Sequence, residues 1–334
     1  MPLISIGDLA QSFVLRRHNA ELKSDITRLT QEMTTGLHSD PARHLSGDVS
    51  ALVGVDSALS RLGAYARTTS DLAFATGAMQ TALGAVQDLT SDLVPSLLAV
   101  TSIGNTGSMT TVSREAKQAF GTVISLYNTR LGDRALFSGD QTATTPLIPA
   151  DQMLQQMMTL ASGALTVQDV ETALDGWLAS PTGFLATAYQ GGAAIADVPI
   201  SPGQSVTVGI TAADPTVRET LKGLGMAALL QQGLFSGDPA QQSALIRRSG
   251  EVLASGQNNR ALMAGELGTV EGLIADAQSR NSTEQSALQI ARLSLVSIDP
   301  YDAAARLQEA QGQLETLYTL TARLSRLSLV DFLR

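Results

Sequence analysis

The chain has 334 residues with a net charge of −9, and 44% of its residues are hydrophobic but only 4% are aromatic. An acidic chain with few Lys and Arg residues is poorly suited to nucleic acid or anionic membranes. Cysteine is absent, which excludes disulfides, thiolate metal sites and cysteine nucleophiles. The apolar residues are mainly Leu, Ala, Val and Ile, a composition that suits helix packing better than aromatic-lined ligand pockets.

The first predicted element is a helix from about Asp8 to Thr35, ended by Gly36. Its apolar residues recur at helical spacing and form a candidate assembly seam: Leu22, Ile26, Leu29 and Met33. The residues before it have neither a basic segment nor a long apolar segment, so a Sec-type signal peptide is not expected. No apolar run reaches the roughly 20 residues that a transmembrane helix needs.

A polar, turn-rich connection (residues 38–48) leads into a much longer helical pattern, from about Asp48 to Leu98. Such a helix would be roughly 75 Å long, and Pro95 is expected to kink or end it. A turn follows, and Ser113 is expected to precede a third helix. One face of that helix is predicted to carry these residues: Ala116, Phe120, Val123, Tyr127 and Leu131.

From Gly132 the pattern changes, because turn residues become frequent and the helical periodicity weakens. Residues 151–178 are moderately helical. The segment around Pro202-Gly203 predicts a β-hairpin, with alternating apolar residues after the turn. Residues 141–214 are therefore predicted to form a variable, outward-facing α+β insert.

Beyond the insert, Asp214-Pro215 and Asp238-Pro239 each resemble a helix N-cap followed by proline, and predict helices at about 215–232 and 239–280. Asn281 with Glu284 resembles a capping box, and Asp299-Pro300 a further cap. The last helix continues the predicted seam: Leu307, Leu314, Leu317, Leu324 and Leu327.

The predicted fold is mainly α, with long antiparallel helical rods formed by both termini. Three domains are expected: an inner coiled coil from 1–45 with 290–334, a helical bundle from 46–140 with 215–289, and the insert. The apolar seams at the two ends most simply pack on each other.

Few residues suggest chemistry. His38 and His44 lie near Asp40 and Asp48, where a metal site is conceivable, but a solvated polar loop is the favoured interpretation. Gly223-Leu224-Gly225 imitates part of a dinucleotide fingerprint inside a helical pattern, where close helix packing is favoured. We therefore expect no enzyme, no metal and no cofactor.

Three segments resemble the bacterial flagellin family, and within it the proteins of the hook–filament junction. Residues 22–37 are similar to the family's "L…L..Q.sTG" pattern, residues 131–147 to its "gryLFsGs.t..pPf" segment, and residues 324–333 to its "LSL.dyL" terminus. One departure is the family's "N.a.DdpA" segment, which here is the shortened copy at residues 38–42.

The resemblance implies a non-catalytic subunit that leaves the cell through flagellar type III export and self-assembles in the extracellular flagellum. Implied partners are further copies of the chain, the neighbouring hook-associated protein, flagellin and an export chaperone, with no nucleic acid and no membrane insertion. Two alternatives stay open: flagellin itself, and a helical coiled-coil component of export or adhesion.

Overall fold

The computed structural model describes residues 6–99 and 106–332, with side chains described for residues 13–99 and 107–323. Helices dominate these ranges, and the strands form only two small antiparallel sheets. The eleven α-helices of the described residues are α1 Ile6–Thr35, α2 Pro41–His44, α3 Ser50–Ala99, α4 Thr106–Tyr127, α5 Ala150–Ala161, α6 Val167–Ala179, α7 Phe184–Thr187, α8 Pro215–Ala228, α9 Pro239–Ser255, α10 Gln257–Val296 and α11 Pro300–Phe332. The predicted mainly α fold class is confirmed.

Two hairpins supply the strands. β1 (Arg130–Leu131) pairs with β2 (Arg134–Ala135), and β3 (Ile195–Ser201) pairs with β4 (Gln204–Val208). The second is the hairpin predicted around Pro202-Gly203. Its turn needs glycine, because Gly203 has φ +73°.

Most predicted helix ends follow from local side-chain chemistry. Gly36 adopts φ +71° directly after α1 and its N–H bonds the carbonyl of Glu32 at 2.8 Å. Asp214 accepts from the N–H of Thr216 at 2.8 Å, and Asp238 caps α9 in the same manner. Asp299 accepts from the N–H of Tyr301 at 2.8 Å, so the predicted cap of the last helix is confirmed.

The start predicted for the third helix is wrong. α4 begins at Thr106, and Ser113 lies inside it, where its hydroxyl donates to the carbonyl of Met109 at 2.7 Å. A serine that bonds the preceding turn in this way is compatible with a helix interior. Leu131, predicted on the buried face of this helix, lies instead in β1 and is 44% exposed.

The helix boundary predicted at Asn281 is also wrong. α9 ends at Ser255, and α10 begins at Gln257 and continues through Asn281 to Val296. Asn281 is buried, and its side-chain amide donates to the carbonyl of Ile200 in β3 at 2.8 Å. A tertiary hydrogen bond, and not a cap, explains this residue.

The helix predicted from Asp48 to Leu98 is confirmed as α3. Pro95 lies inside this helix without ending it, although a proline supplies no backbone N–H to the helical ladder.

Contacts divide the chain into two compact units. The terminal unit comprises Met1–Gly63 with Thr283–Arg334, and the central unit comprises Ala64–Ser282. In the central unit one large apolar core joins α4, α5, α6, α8 and α9, and Phe120, Tyr127 and Phe137 are fully buried in it. The segment 141–214 contributes Leu147, Leu154 and other residues to this same core. The division into three domains stays a prediction.

Candidate assembly surface

In the terminal unit, α1 and α11 pack side by side in opposite directions. The ammonium of Lys23 lies 5.9 Å from the ring centre of Tyr318, whereas Glu32, nine residues further along α1, shares a cavity with Arg306, nearer the start of α11. The antiparallel pairing of the chain ends thus brings the two predicted seams together, as apolar stripes on isolated helices require.

The buried positions of this pair recur every seven residues. Leu22 and Leu29 of α1 are buried, as are Ala303, Ala310 and Leu317 of α11. A repeat of seven is typical of helices that pack along their length in a coiled-coil manner. Leu317 was predicted in this seam, whereas the role of Ala303 went unnoticed because alanine is common on every helix face.

The other predicted seam residues differ in their surroundings. Ile26, Leu307 and Leu314 are half-buried, and Met33 is 40% exposed. The side chains of Leu324 and Leu327 lie outside the described residues. An assembly role for the predicted set stays a prediction, and the half-buried members lie where a neighbour could complete their burial.

Large apolar side chains also lie exposed on the terminal unit. Ile290 is 69% exposed and Tyr301 is 89% exposed, and Phe13, Val53 and Leu293 are exposed to a lesser degree. Asp56 of α3 and Arg292 of α10 form an ion pair at 2.7 Å within the same unit. Large apolar residues are exposed on the central unit as well, for example Leu165 at 82%, and single exposed residues are ordinary on a protein surface, so a partner-contacting role for those of the terminal unit stays a prediction.

A compact joint connects the end of α1 to the start of α11. The N–H of His38 donates to the carbonyl of Val296 at 2.8 Å, and the N–H of Ile298 donates to that of Gly36 at 3.1 Å. Leu37 and Ser297 form the β-bridge between these bonds. We call residues 36–47 with residues 296–299 the terminal joint. No sequence signal indicated it, because the two segments are more than 250 residues apart.

A polar cavity of about 340 Å³ lies beside the terminal joint, lined by Glu32, His38, His44, Asp302 and Arg306 among others. The carboxylate of Glu32 is buried and accepts from the N–H of Ser39 at 3.0 Å and from its hydroxyl at 2.8 Å. Burial raises the pKa of Glu32, but the two Ser39 bonds and the Arg28 guanidinium together hold that pKa below its ordinary value.

His38 and His44 lie at the other side of this cavity as a stacked pair. Their ring centres are 3.8 Å apart and the ring planes differ by 20°. Burial, and then the nearby charge of His44, lower the pKa of His38. Among the described residues, no three His, Cys, Asp or Glu side chains are placed to hold a metal ion.

The segment resembling the family's "LFsG" pattern is a tight backbone contact in the central unit. Gly192 donates its N–H to Ser138 at 2.8 Å, and Asp140 donates to Ala193 at 2.8 Å. Gly139 adopts φ +62°, and a Cβ there would overlap the carbonyl of Ala193. These bonds hold the residues just before β3 against residues 138–140.

The glycines once compared with a dinucleotide fingerprint lie in α8. A Cβ at Gly223 would lie 2.8 Å from the side chain of Leu253, and one at Gly225 would lie 2.8 Å from the sulfur of Met157. Both glycines are buried and serve close helix packing.

No helix in the described ranges 6–99 and 106–332 combines the length and hydropathy needed to cross a membrane.

Comparison with known proteins decides the family of the carboxy-terminal helices. The family model "Bacterial flagellin C-terminal helical region" matches residues 256–333, which comprise α10 and α11. The carboxy-terminal region of this chain is flagellin-like. The flagellin-family resemblance inferred from the sequence is therefore confirmed for this region. No curated protein matches the chain at a significant level.

Solved structures support the fold. A structure described as that of a flagellar hook-associated protein from Vibrio parahaemolyticus aligns with a TM-score of 0.53 and 15% identity, covering 76% of this chain and 97% of that one. The crystal structure of FlgL from Bacillus cereus aligns with a TM-score of 0.49 and 15% identity, covering 72% of this chain and 99% of that one. At this level of identity the first alignment establishes a shared fold.

Proposed function

We propose that the protein is a structural subunit of the bacterial flagellum that forms the junction layer between hook and filament. The observation that carries this proposal is that the flagellin-like carboxy-terminal region pairs with α1 through a seam whose buried positions recur every seven residues. A fold shared with a hook-associated protein supports the junction position over other positions in the flagellum.

Within this proposal the terminal unit is the assembly element. The seam is thin, with small alanines at two of its buried positions, and large apolar side chains of α1 and α11 such as Phe13, Tyr301 and Leu320 remain exposed. Neighbouring copies of the chain would cover Ile290, Tyr301 and similar residues, and each large apolar side chain so buried would contribute about 1.5–3 kcal/mol. The subunit therefore gains stability on assembly that it lacks alone.

The proposed partners are further copies of the chain, the adjacent hook-associated protein on one side and flagellin on the other, with a chaperone and type III export before assembly. A subunit of this kind carries out its role by binding, so no catalytic residue is assigned. Flagellin itself is the second candidate, because the matched carboxy-terminal region is named for the flagellin family as a whole.

The test replaces the chromosomal gene with a Leu317→Asp variant. Leu317 is buried in the seam, and an unpaired charge there opposes pairing of α1 with α11. We expect a protein that is made and exported, cells that carry hooks without filaments, and flagellin released into the medium. Electron microscopy and blots of the medium measure each part.

A matched control is Leu165→Asp, the same exchange at an exposed leucine of the central unit. Control cells should carry normal filaments. Full-length filaments on Leu317→Asp cells would contradict the assigned assembly element.

A labelled antibody against the protein separates the two candidate functions. A junction subunit gives one narrow band at the hook tip, whereas flagellin is labelled along the whole filament.

A further inference from the structure

Two of the three histidines of the chain, His38 and His44, meet in the terminal joint, with five residues between them in sequence. His38 follows the β-bridge of the joint, and His44 ends the short helix α2. Asp40 caps α2 by accepting from the N–H of Arg43 at 3.0 Å, which fixes the direction of that helix. The stack therefore depends on how this loop is folded, and it responds when the loop moves.

The stack favours neutral rings. Two imidazolium cations with centres 3.8 Å apart would repel each other. Water screens that repulsion less when one of the rings is half-buried. Imidazole is the side chain whose ordinary titration falls between about pH 5 and 8. A mildly acidic medium therefore works against the ring contact, because burial and the nearby charge of His44 both oppose a proton on His38.

Charged groups surround the stack on every element that packs against it. α1 contributes Arg28 and Glu32, α11 contributes Asp302 and Arg306, and Asp299 precedes α11. Arg28 and Arg306 oppose a positive charge on His38, and Glu32 favours one. The buried carboxylate of Glu32 is already held by Ser39 and Arg28, so it is not free to turn toward a new cation.

The backbone of residues 38 and 39 is bonded both to the segment before α11 and to α1. The N–H of His38 makes the 2.8 Å bond to Val296, and the neighbouring residue Ser39 holds Glu32 on α1. Displacing the ring therefore strains both the connection to the start of α11 and the connection to α1. The second backbone bond of the joint, from the N–H of Ile298 to the carbonyl of Gly36, involves neither His38 nor Ser39, so release of the joint requires that bond to open as well.

We propose that the terminal joint is an acid-sensitive clasp: the stack of His38 on His44 helps to hold α1 and α11 together, and protonation of His38 releases them. The clasp depends only on the geometry of a single chain, so it holds whether or not the chain forms a hook–filament junction. Opening of the clasp loosens the pairing of α1 with α11, the two helices that carry the seam.

The pH range follows from the direction of the His38 shift. Its pKa in the folded chain is lowered below 6.5, so between that lowered value and 6.5 the unfolded chain binds more protons than the folded chain. The clasp is therefore fully stable above about pH 6.5 and weakens as pH falls through this interval. Glu32 would weaken it only at lower pH, because its own pKa lies below 4.5.

The absence of cysteine allows a direct test on the purified full chain. Gln31→Cys on α1 and Gln308→Cys on α11, both at exposed positions, carry spin labels whose separation is measured by pulsed electron resonance. We expect one narrow distance at about pH 7.5, and loss of about half or more of that component at about pH 5.

His38→Phe keeps an aromatic ring in the stack but cannot be protonated, and it should hold the narrow distance at both pH values. His18→Phe, at an exposed position on α1, is the matched control and should open like the unsubstituted chain. An unchanged distance in the unsubstituted chain overturns the proposal, and so does equal opening in His38→Phe.

A second measurement covers the case in which His38→Phe does not fold. The protein is labelled with ¹³C only at histidine and followed by NMR. The His38 resonance should titrate at lower pH in the folded protein than in the protein unfolded in urea. An equal or higher midpoint in the folded protein overturns the proposal. Filament phenotypes play no part in either measurement, so failure of the clasp and failure of the junction role are distinguishable.

Discussion

The terminal and central units are both helical, yet they bury apolar surface in different ways. The central unit has a continuous core to which α4, α5, α6, α8 and α9 all contribute, with aromatic and methionine side chains at its centre. The described terminal unit has a narrow seam of leucines and alanines, and none of its residues belongs to that core. From this difference we expect the central unit to be stable by itself, and the terminal unit to gain stability when neighbours cover it.

Breaking the core should give the largest effect. Phe120 is fully buried in α4, so Phe120→Ala should lower the free energy of unfolding of the central unit by about 3–5 kcal/mol. Urea unfolding followed by the fluorescence of Trp177, the single tryptophan and a member of this unit, measures it. Leu165→Ala at an exposed position should leave the transition where it was, and an unchanged Phe120→Ala would disprove a single dense core.

A seam substitution should have a smaller effect on the isolated chain. Leu29 is buried but lines the polar cavity beside the terminal joint, so Leu29→Ala should cost about 2 kcal/mol, near the low end for such exchanges. The helix signal lost in the terminal unit should not be accompanied by a change in Trp177 fluorescence. A shift of both signals together would mean that the two units unfold as one.

The smallest effect on the isolated chain should come from the exposed terminal surface. Ile290→Ser should change the free energy of unfolding by no more than about 0.5 kcal/mol, because Ile290 is 69% exposed. The same change should weaken assembly, which sedimentation of polymerised samples measures. If Ile290→Ser assembles normally while Leu317→Asp does not, the surface that contacts partners is restricted to the seam itself.

Local signals in the sequence predicted many of the helix ends, and tertiary contacts account for the errors. Asp214, Asp238 and Asp299 cap helices as their Asp-Pro pairs predict, because a cap needs only nearby backbone. Asn281 has the residue type of a cap as well, yet it lies within α10 and bonds a strand 81 positions away. Nothing within a short window of sequence distinguishes these two uses.

The pentapeptide Leu-Phe-Ser-Gly-Asp makes the same point, because it occurs at residues 136–140 and again at 234–238. Phe137 in the first copy is fully buried, whereas Phe235 in the second is half-buried with φ +55°. Asp140 is exposed, and Asp238 caps α9. The motif permits a turn, and the surroundings of each copy decide what that turn packs against.

The candidate site was predicted only in part, for a related reason. Heptad spacing indicated Leu22, Leu29 and Leu317 correctly as residues that face another helix. The terminal joint depends on backbone bonds between segments at opposite ends of the chain, and such bonds require no particular side chain. The spacing of apolar residues therefore predicts a seam, but it cannot predict the loops that connect the end of α1 to the start of α11.

The hydrogen bond from Asn281 to Ile200 also bears on the use of this protein as a display scaffold. Ile200 and Val206 pack on Ile274 and Ala277 of α10, so the strands of the second hairpin belong to the body of the central unit. Pro202 and Gly203 at its tip are exposed and make no such contacts. A foreign epitope would best be inserted between those two residues, whereas deleting the strands would leave the buried Asn281 amide without the backbone carbonyl that it bonds.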